Sequence, residues 1–198
     1  MRMSNSVLFE KAYGRFAIGA FNVFTLEQVL GLFQGASKCL APIIVVITPA
    51  ARRYAQPTML HAMIDAAARI YPQVVFAVHL DHGDVAHCHD AIESAYYESV
   101  MIDASAESFE RNIQITTDIV EKARRKNIHV EAELGVLGGV EQEKNIAPED
   151  VLFTEADQFR EFATRTGCDS LAIAIGTSHG AYNYSCERGL CFDILEKI

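Results

Sequence analysis

Residues 74–83 read VVFAVHLDHG: an apolar run of strand length, VVFAVHL (74–80), followed at once by aspartate, histidine and glycine. A short apolar run with this boundary reads as a strand covered on both faces, with its polar residues at the C-terminal end. Five further runs repeat the pattern: FAIGAFNV (16–23), PIIVVIT (42–48), SVMID (99–103), HVEAEL (129–134) and SLAIAIG (170–176). Helical segments alternate with them near 25–39, 58–70, 85–95, 107–126 and 154–166, with Thr25, Thr58, Ser105 and Thr154 at or near N-caps. Apolar strands separated by helices predict a parallel sheet with helices on its faces.

Six successive βα units of similar size favour a (β/α)8 TIM barrel over an open doubly wound sheet. The dinucleotide signature G-x-G-x-x-G is missing after the first strand, where the chain reads GAFNVFT. A full barrel needs eight strands and typically ~250 residues. The 198 residues provide about the first six units and stop in a helical segment, FDILEKI. The expectation is one incomplete α/β barrel domain over residues 1–198. Continuation of the natural chain past Ile198 is favoured over a partner covering the gap.

Composition narrows the function classes. Half of the residues are apolar and 22% are charged, as in ordinary globular proteins. The formal net charge of −9 argues against non-specific nucleic-acid binding, which needs a basic surface. No apolar run is long enough for a membrane span. The start, MRMSNSVLFEKAYG, lacks a signal-peptide core. Five scattered cysteines (Cys39, Cys88, Cys168, Cys186, Cys191) form no C-x-x-C pair and read as reduced thiols of a cytoplasmic protein.

Barrel enzymes carry their chemistry at the C-terminal ends of the strands. Strand three ends at Asp81, His82 and Gly83, strand four at Asp103, strand five at Glu131 and Glu133, and strand six runs into TSHGAY with His179. His82 and His179 can meet across a barrel mouth as zinc ligands, one short of the usual three, or stand as satisfied rim histidines. Asp103 and Glu133 can support a ligand or bind a metal elsewhere. His87, His89 and Asp90 read as a solvated helix face, and His79 as a polar group inside the barrel. The loop GVLGGVEQEKNIAPED (135–150) reads as an active-site lid or a plain connection. IGTSHGAY (175–182) suits the close approach of a phosphate or an oxyanion. None of the six lysines lies on a candidate strand, so Schiff-base chemistry lacks its nucleophile there.

Taken in order, AFNV (20–23), HLDHG (79–83), SVMIDAS (99–105), EAELGVLGG (131–139) and AIGTSHGAY (174–182) resemble the class II, metal-dependent fructose-bisphosphate aldolases and the related tagatose-bisphosphate aldolases. The resemblance implies reversible cleavage of fructose 1,6-bisphosphate to dihydroxyacetone phosphate and glyceraldehyde 3-phosphate. It implies His82 and His179 as ligands of a catalytic zinc, and Asp103 and Glu133 as ligands of an alternative or second cation position, divalent or monovalent. Asp81 matches the acid/base at the C4 hydroxyl, and Glu141 the base acting on the triose phosphate. Asn22, Thr48 and Gly180 match substrate contacts, and a homodimer or homotetramer is expected. Two features depart from the family. Its third zinc histidine and main phosphate-binding residues, which follow strands seven and eight, are absent. Thr48 stands where several members have serine, and it does not separate the two sugars. A zinc hydrolase of the amidohydrolase kind would want His-x-His at the end of strand one, where this chain has FNV. A non-catalytic homologue is the reading if the natural chain ends at Ile198.

Overall fold

The computed structural model describes residues 1–141, 144–146, 153–179 and 190–198, with backbone alone for 138–141, 144–146 and 178–179. The strands are β1 (Gly19–Asn22), β2 (Ile43–Ile47), β3 (Phe76–Gly83), β4 (Ser99–Ile102), β5 (His129–Leu134), β6 (Gly138–Glu141), β7 (Lys144–Ile146), β8 (Ser170–Ile173) and β9 (Ser178–His179). The helices are α1 (Asn5–Ala12), α2 (Leu26–Cys39), α3 (Pro49–Ala55), α4 (Pro57–Ile70), α5 (Val85–Ser94), α6 (Phe109–Arg124), α7 (Ala156–Thr166) and α8 (Phe192–Lys197).

Six strands form one sheet in the order β1-β2-β3-β4-β5-β8, every pair parallel. Each strand lies beside the one before it, as in a barrel wall. A doubly wound sheet would reverse direction at a switch point, and this sheet does not. The described residues form a six-stranded half-barrel, and the eight-stranded closure lies beyond what they show. β6 pairs with β7 antiparallel and with β9 parallel, so the expected 135–150 loop contributes two strands of a small three-stranded sheet.

The sheet has two unlike faces. Ile43, Val45, Ile47, Val78, Leu80, Val100, Val130 and Ala132 belong to one core cluster with Phe33, Leu60, Ile64, Ile92, Ile113 and Phe162 of the helices. The alternate residues, which point to the opposite face, include His79, Ser99, Met101, His129, Glu131 and Glu133. The period-2 pattern thus splits each strand into a helix-facing apolar row and an interior-facing row rich in polar groups. Among the described residues, no helix is long and apolar enough to cross a membrane.

Several boundaries differ from the sequence expectation. α1 and α3 were not predicted, and β3 runs to Gly83 rather than residue 80. Thr25 caps α2 through a full capping box with Gln28. Ser108, not Ser105, caps α6, and α4 starts on Pro57 rather than beyond Thr58. Thr154 is not the α7 cap; Glu155 holds that position. The buried Thr154 instead ties the C-terminal ends of β5 and β8 together. Its hydroxyl donates to the Leu134 carbonyl and accepts from the Ala174 N–H at 2.9 Å, and its own N–H donates to the Ala174 carbonyl at 3.1 Å.

Two stability outcomes are expected. Phe33 is fully buried and meets Phe76 edge to face at 5.1 Å, so Phe33→Ala should cost about 3–5 kcal/mol in urea unfolding. A loss below about 1 kcal/mol would contradict that packing. Thr154→Val keeps the shape but strands two buried backbone groups, at about 1–3 kcal/mol. Thr154→Ser should recover most of the loss; equal stability of the valine variant and the parent would remove the staple.

Candidate metal and acid–base site

The site is built at the C-terminal ends of β3, β4 and β5, and its key feature is a β-bulge in β3. Leu80 pairs with Val100 and Gly83 with Ile102, so Asp81 and His82 together face the single residue Met101. In an even pleat His82 would follow Leu80 onto the helix-facing side, opposite Asp81. The bulge turns it back. His82 takes φ +46°, a left-handed conformation costing a non-glycine residue about 1–2 kcal/mol.

The turned imidazole is largely buried among carboxylates. His82 Nδ1 lies 3.6 Å from Asp103 Oδ2 and 3.5 Å from Glu133 Oε2, while Nε2 lies 3.7 Å from Asp81 Oδ1. Asp103 follows β4, and its other oxygen accepts from the Ser105 N–H at 3.1 Å and hydroxyl at 2.7 Å, which fixes its rotamer. Glu133 is buried on β5, and its carbonyl accepts from Asn112 Nδ2 of α6 at 3.0 Å. One ligand atom from each of His82, Asp103 and Glu133 lies within 4.8 Å of the other two.

These separations fit a divalent cation. Zinc bonds of about 2.0–2.2 Å in a tetrahedron put neighbouring donor atoms about 3.3–3.6 Å apart. One imidazole nitrogen with two carboxylate oxygens is a donor set that accepts zinc, and also manganese or iron. Neighbouring charges and burial also act on the groups beneath. Glu131 has its pKa pushed up to about 7, chiefly by burial and further by the Asp81 charge, with His82 opposing. His79 is pushed down to about 3 by burial, with His129 and His82 adding to the effect. It is a neutral imidazole, with Nδ1 2.7 Å from Ser99 Oγ and Nε2 3.5 Å from Glu131 Oε2.

The structure therefore brings together Asp81, His82, Asp103 and Glu133. His179 is placed by its backbone on β9, where it pairs with Gly139 of β6, the strand that ends at Glu141. Asn22 is exposed at the end of β1. Thr48 is buried, and its hydroxyl accepts from the Ala51 N–H at 3.1 Å as the cap of α3. Gly180 lies outside the described residues. His87, His89 and Asp90 make surface pairs with Asp84, Lys122 and Arg52, as a solvated helix face should. No lysine lies on the six-stranded sheet; Lys144 is on β7. The four described cysteines are free thiols. The residue that sequence reasoning passed over is Glu131. It was noted only as a strand end, although its parity with Glu133 already placed both on the interior face.

Comparisons with known proteins identify the family. The family model described as fructose-bisphosphate aldolase class-II matches residues 4–198. A fructose-bisphosphate aldolase of Giardia intestinalis (strain ATCC 50803 / WB clone C6) is 36% identical over 176 residues, covering 89% of this chain and 54% of that protein. The D-tagatose-1,6-bisphosphate aldolase subunit GatY of Klebsiella oxytoca is 40% identical over 168 residues, covering 84% of this chain and 58% of that protein. The crystal structure of the YdjI aldolase from Escherichia coli K12 superposes with a TM-score of 0.81 at 31% identity, covering 100% of this chain and 68% of that one. The chain thus spans little more than half the length of these two curated relatives. Because the family model spans residues 4–198, nearly the whole chain, the chain belongs to the class II fructose-bisphosphate aldolase family.

Proposed function

We propose that this chain carries the metal and acid–base part of a zinc-dependent aldolase that reversibly cleaves fructose 1,6-bisphosphate to dihydroxyacetone phosphate and glyceraldehyde 3-phosphate. The observation that carries the proposal is the convergence of Asp81, Asp103 and Glu133 on His82 within 3.5–3.7 Å. His82, Asp103 and Glu133 would hold the ion, with His179 of β9 as a further ligand. Bound there, zinc would act as a Lewis acid on the substrate carbonyl and offset the charge released at C3–C4 cleavage.

The chain's own groups handle the protons. Asp81 takes the C4 hydroxyl proton as the C3–C4 bond breaks. Glu131, beside it, is lifted to about 7 chiefly by burial and further by the Asp81 charge. Glu141, at the end of β6, returns a proton to the triose fragment. Asn22, Thr48 and Gly180 would contact substrate. The 40% identity to a tagatose-bisphosphate aldolase subunit favours D-tagatose 1,6-bisphosphate as the second reading, to be decided by kcat/KM on the two C4 epimers.

An aldol-cleavage assay on the full-length protein, before and after treatment with a chelator, tests the metal. Cleavage should disappear with the metal and return with added zinc; cleavage that survives complete metal removal would contradict the proposal. Asp81→Ala should lower kcat by about 10²–10⁴-fold with zinc content unchanged. Full activity in that variant would remove Asp81 from the chemistry. A full-length protein that holds zinc but cleaves neither epimer would instead mark a non-catalytic homologue.

A further inference from the structure

The bulge in β3 needs something to hold it, because an isolated histidine does not stay in the left-handed region. The helix-facing place vacated by His82 is taken by Gly83. A Cβ built on Gly83 would lie 2.8 Å from Leu80 Cδ2, 3.0 Å from Cys88 Sγ and 3.2 Å from the Met101 carbonyl oxygen. A side chain there would have to displace Leu80 and press on Cys88 and the Met101 carbonyl. Cys88, on α5, closes the space from the helix side and is fully buried. Its thiol donates to the Met101 carbonyl at 3.4 Å, the residue that faces both Asp81 and His82, and lies 3.8 Å from the Gly83 carbonyl.

We infer that Cys88 is a positioning residue: its thiol, wedged at the base of the bulge, holds His82 in the left-handed conformation that turns the imidazole toward Asp103 and Glu133. The inference rests on the proposal that His82 is a metal ligand. Burial keeps the side chain a thiol, its pKa pushed up to about 12, so its role is packing and hydrogen-bond donation rather than nucleophilic chemistry. Residues that orient a metal ligand typically act on affinity by about 10–100-fold when removed.

Zinc affinity is measured on the full chain by competition with a chromophoric chelator, in C88A, C88V and C88S, with H82A as the reference for a lost ligand. C88A and C88V remove the donor and should weaken zinc binding by about 10–100-fold while unfolding stays cooperative. C88S keeps a donor and should bind zinc close to the parent chain. If C88A folds poorly because of the space it empties, C88V, which fills that space without a donor, carries the same test. Parent-like affinity in the donor-less variants, or C88S as weak as C88A, overturns the inference when H82A has lost zinc. If H82A itself retains parent-like affinity, the ligand assignment fails, and the inference falls with it.

Discussion

Two residues of β3 share one position opposite β4, and the polar centre of this protein depends on that mismatch. Strand alternation alone would send Asp81 into the barrel interior and His82 under the helices, where an imidazole would meet the apolar cluster around Leu80 and Ile92. The bulge puts both side chains on one side for about 1–2 kcal/mol of backbone strain at His82. In return, three carboxylates from three strands reach one imidazole. The cost is small beside that of burying such groups without partners, and so the strain persists at this position.

The interior face beneath the centre is also unusual for a barrel. Barrel cores are mostly branched apolar side chains. Here His79, Ser99 and His129 sit side by side across β3, β4 and β5, with Glu131 one row above. His79, kept neutral by burial, presents an uncharged imidazole under two carboxylates, Asp81 at 4.0 Å and Glu131 at 3.5 Å. Adding a positive charge there would need solvation that the site does not offer.

Much of this was legible in the sequence. The length and boundaries of PIIVVIT and HVEAEL predicted strands, and the parallel order followed from the helices between them. Asp103, Glu133 and the pair Asp81-His82 were assigned to the rim because each stands at a strand's C-terminal end. The roles of Glu141 and Gly180 came from family resemblance, not from residue spacing, whereas His179 was also marked by its place at the end of the sixth strand. The bulge was hidden, since register is a property of two strands and VVFAVHLDHG is only one of them. The misread cap at Thr154 has a similar origin: a hydroxyl before a helix serves equally as a cap or as a bridge, and only the approach of Leu134 and Ala174 decides. The short α3 followed from Thr48-Pro49, a cap with proline at the first helical position, which was read as a strand end alone.

The most direct measurement is anomalous diffraction at the zinc edge from crystals of the zinc-loaded protein. The peak should fall about 2.0–2.2 Å from a nitrogen of His82 and from carboxylate oxygens of Asp103 or Glu133. A peak confined to surface groups such as His87 and Asp84, with none beside His82, would contradict the account.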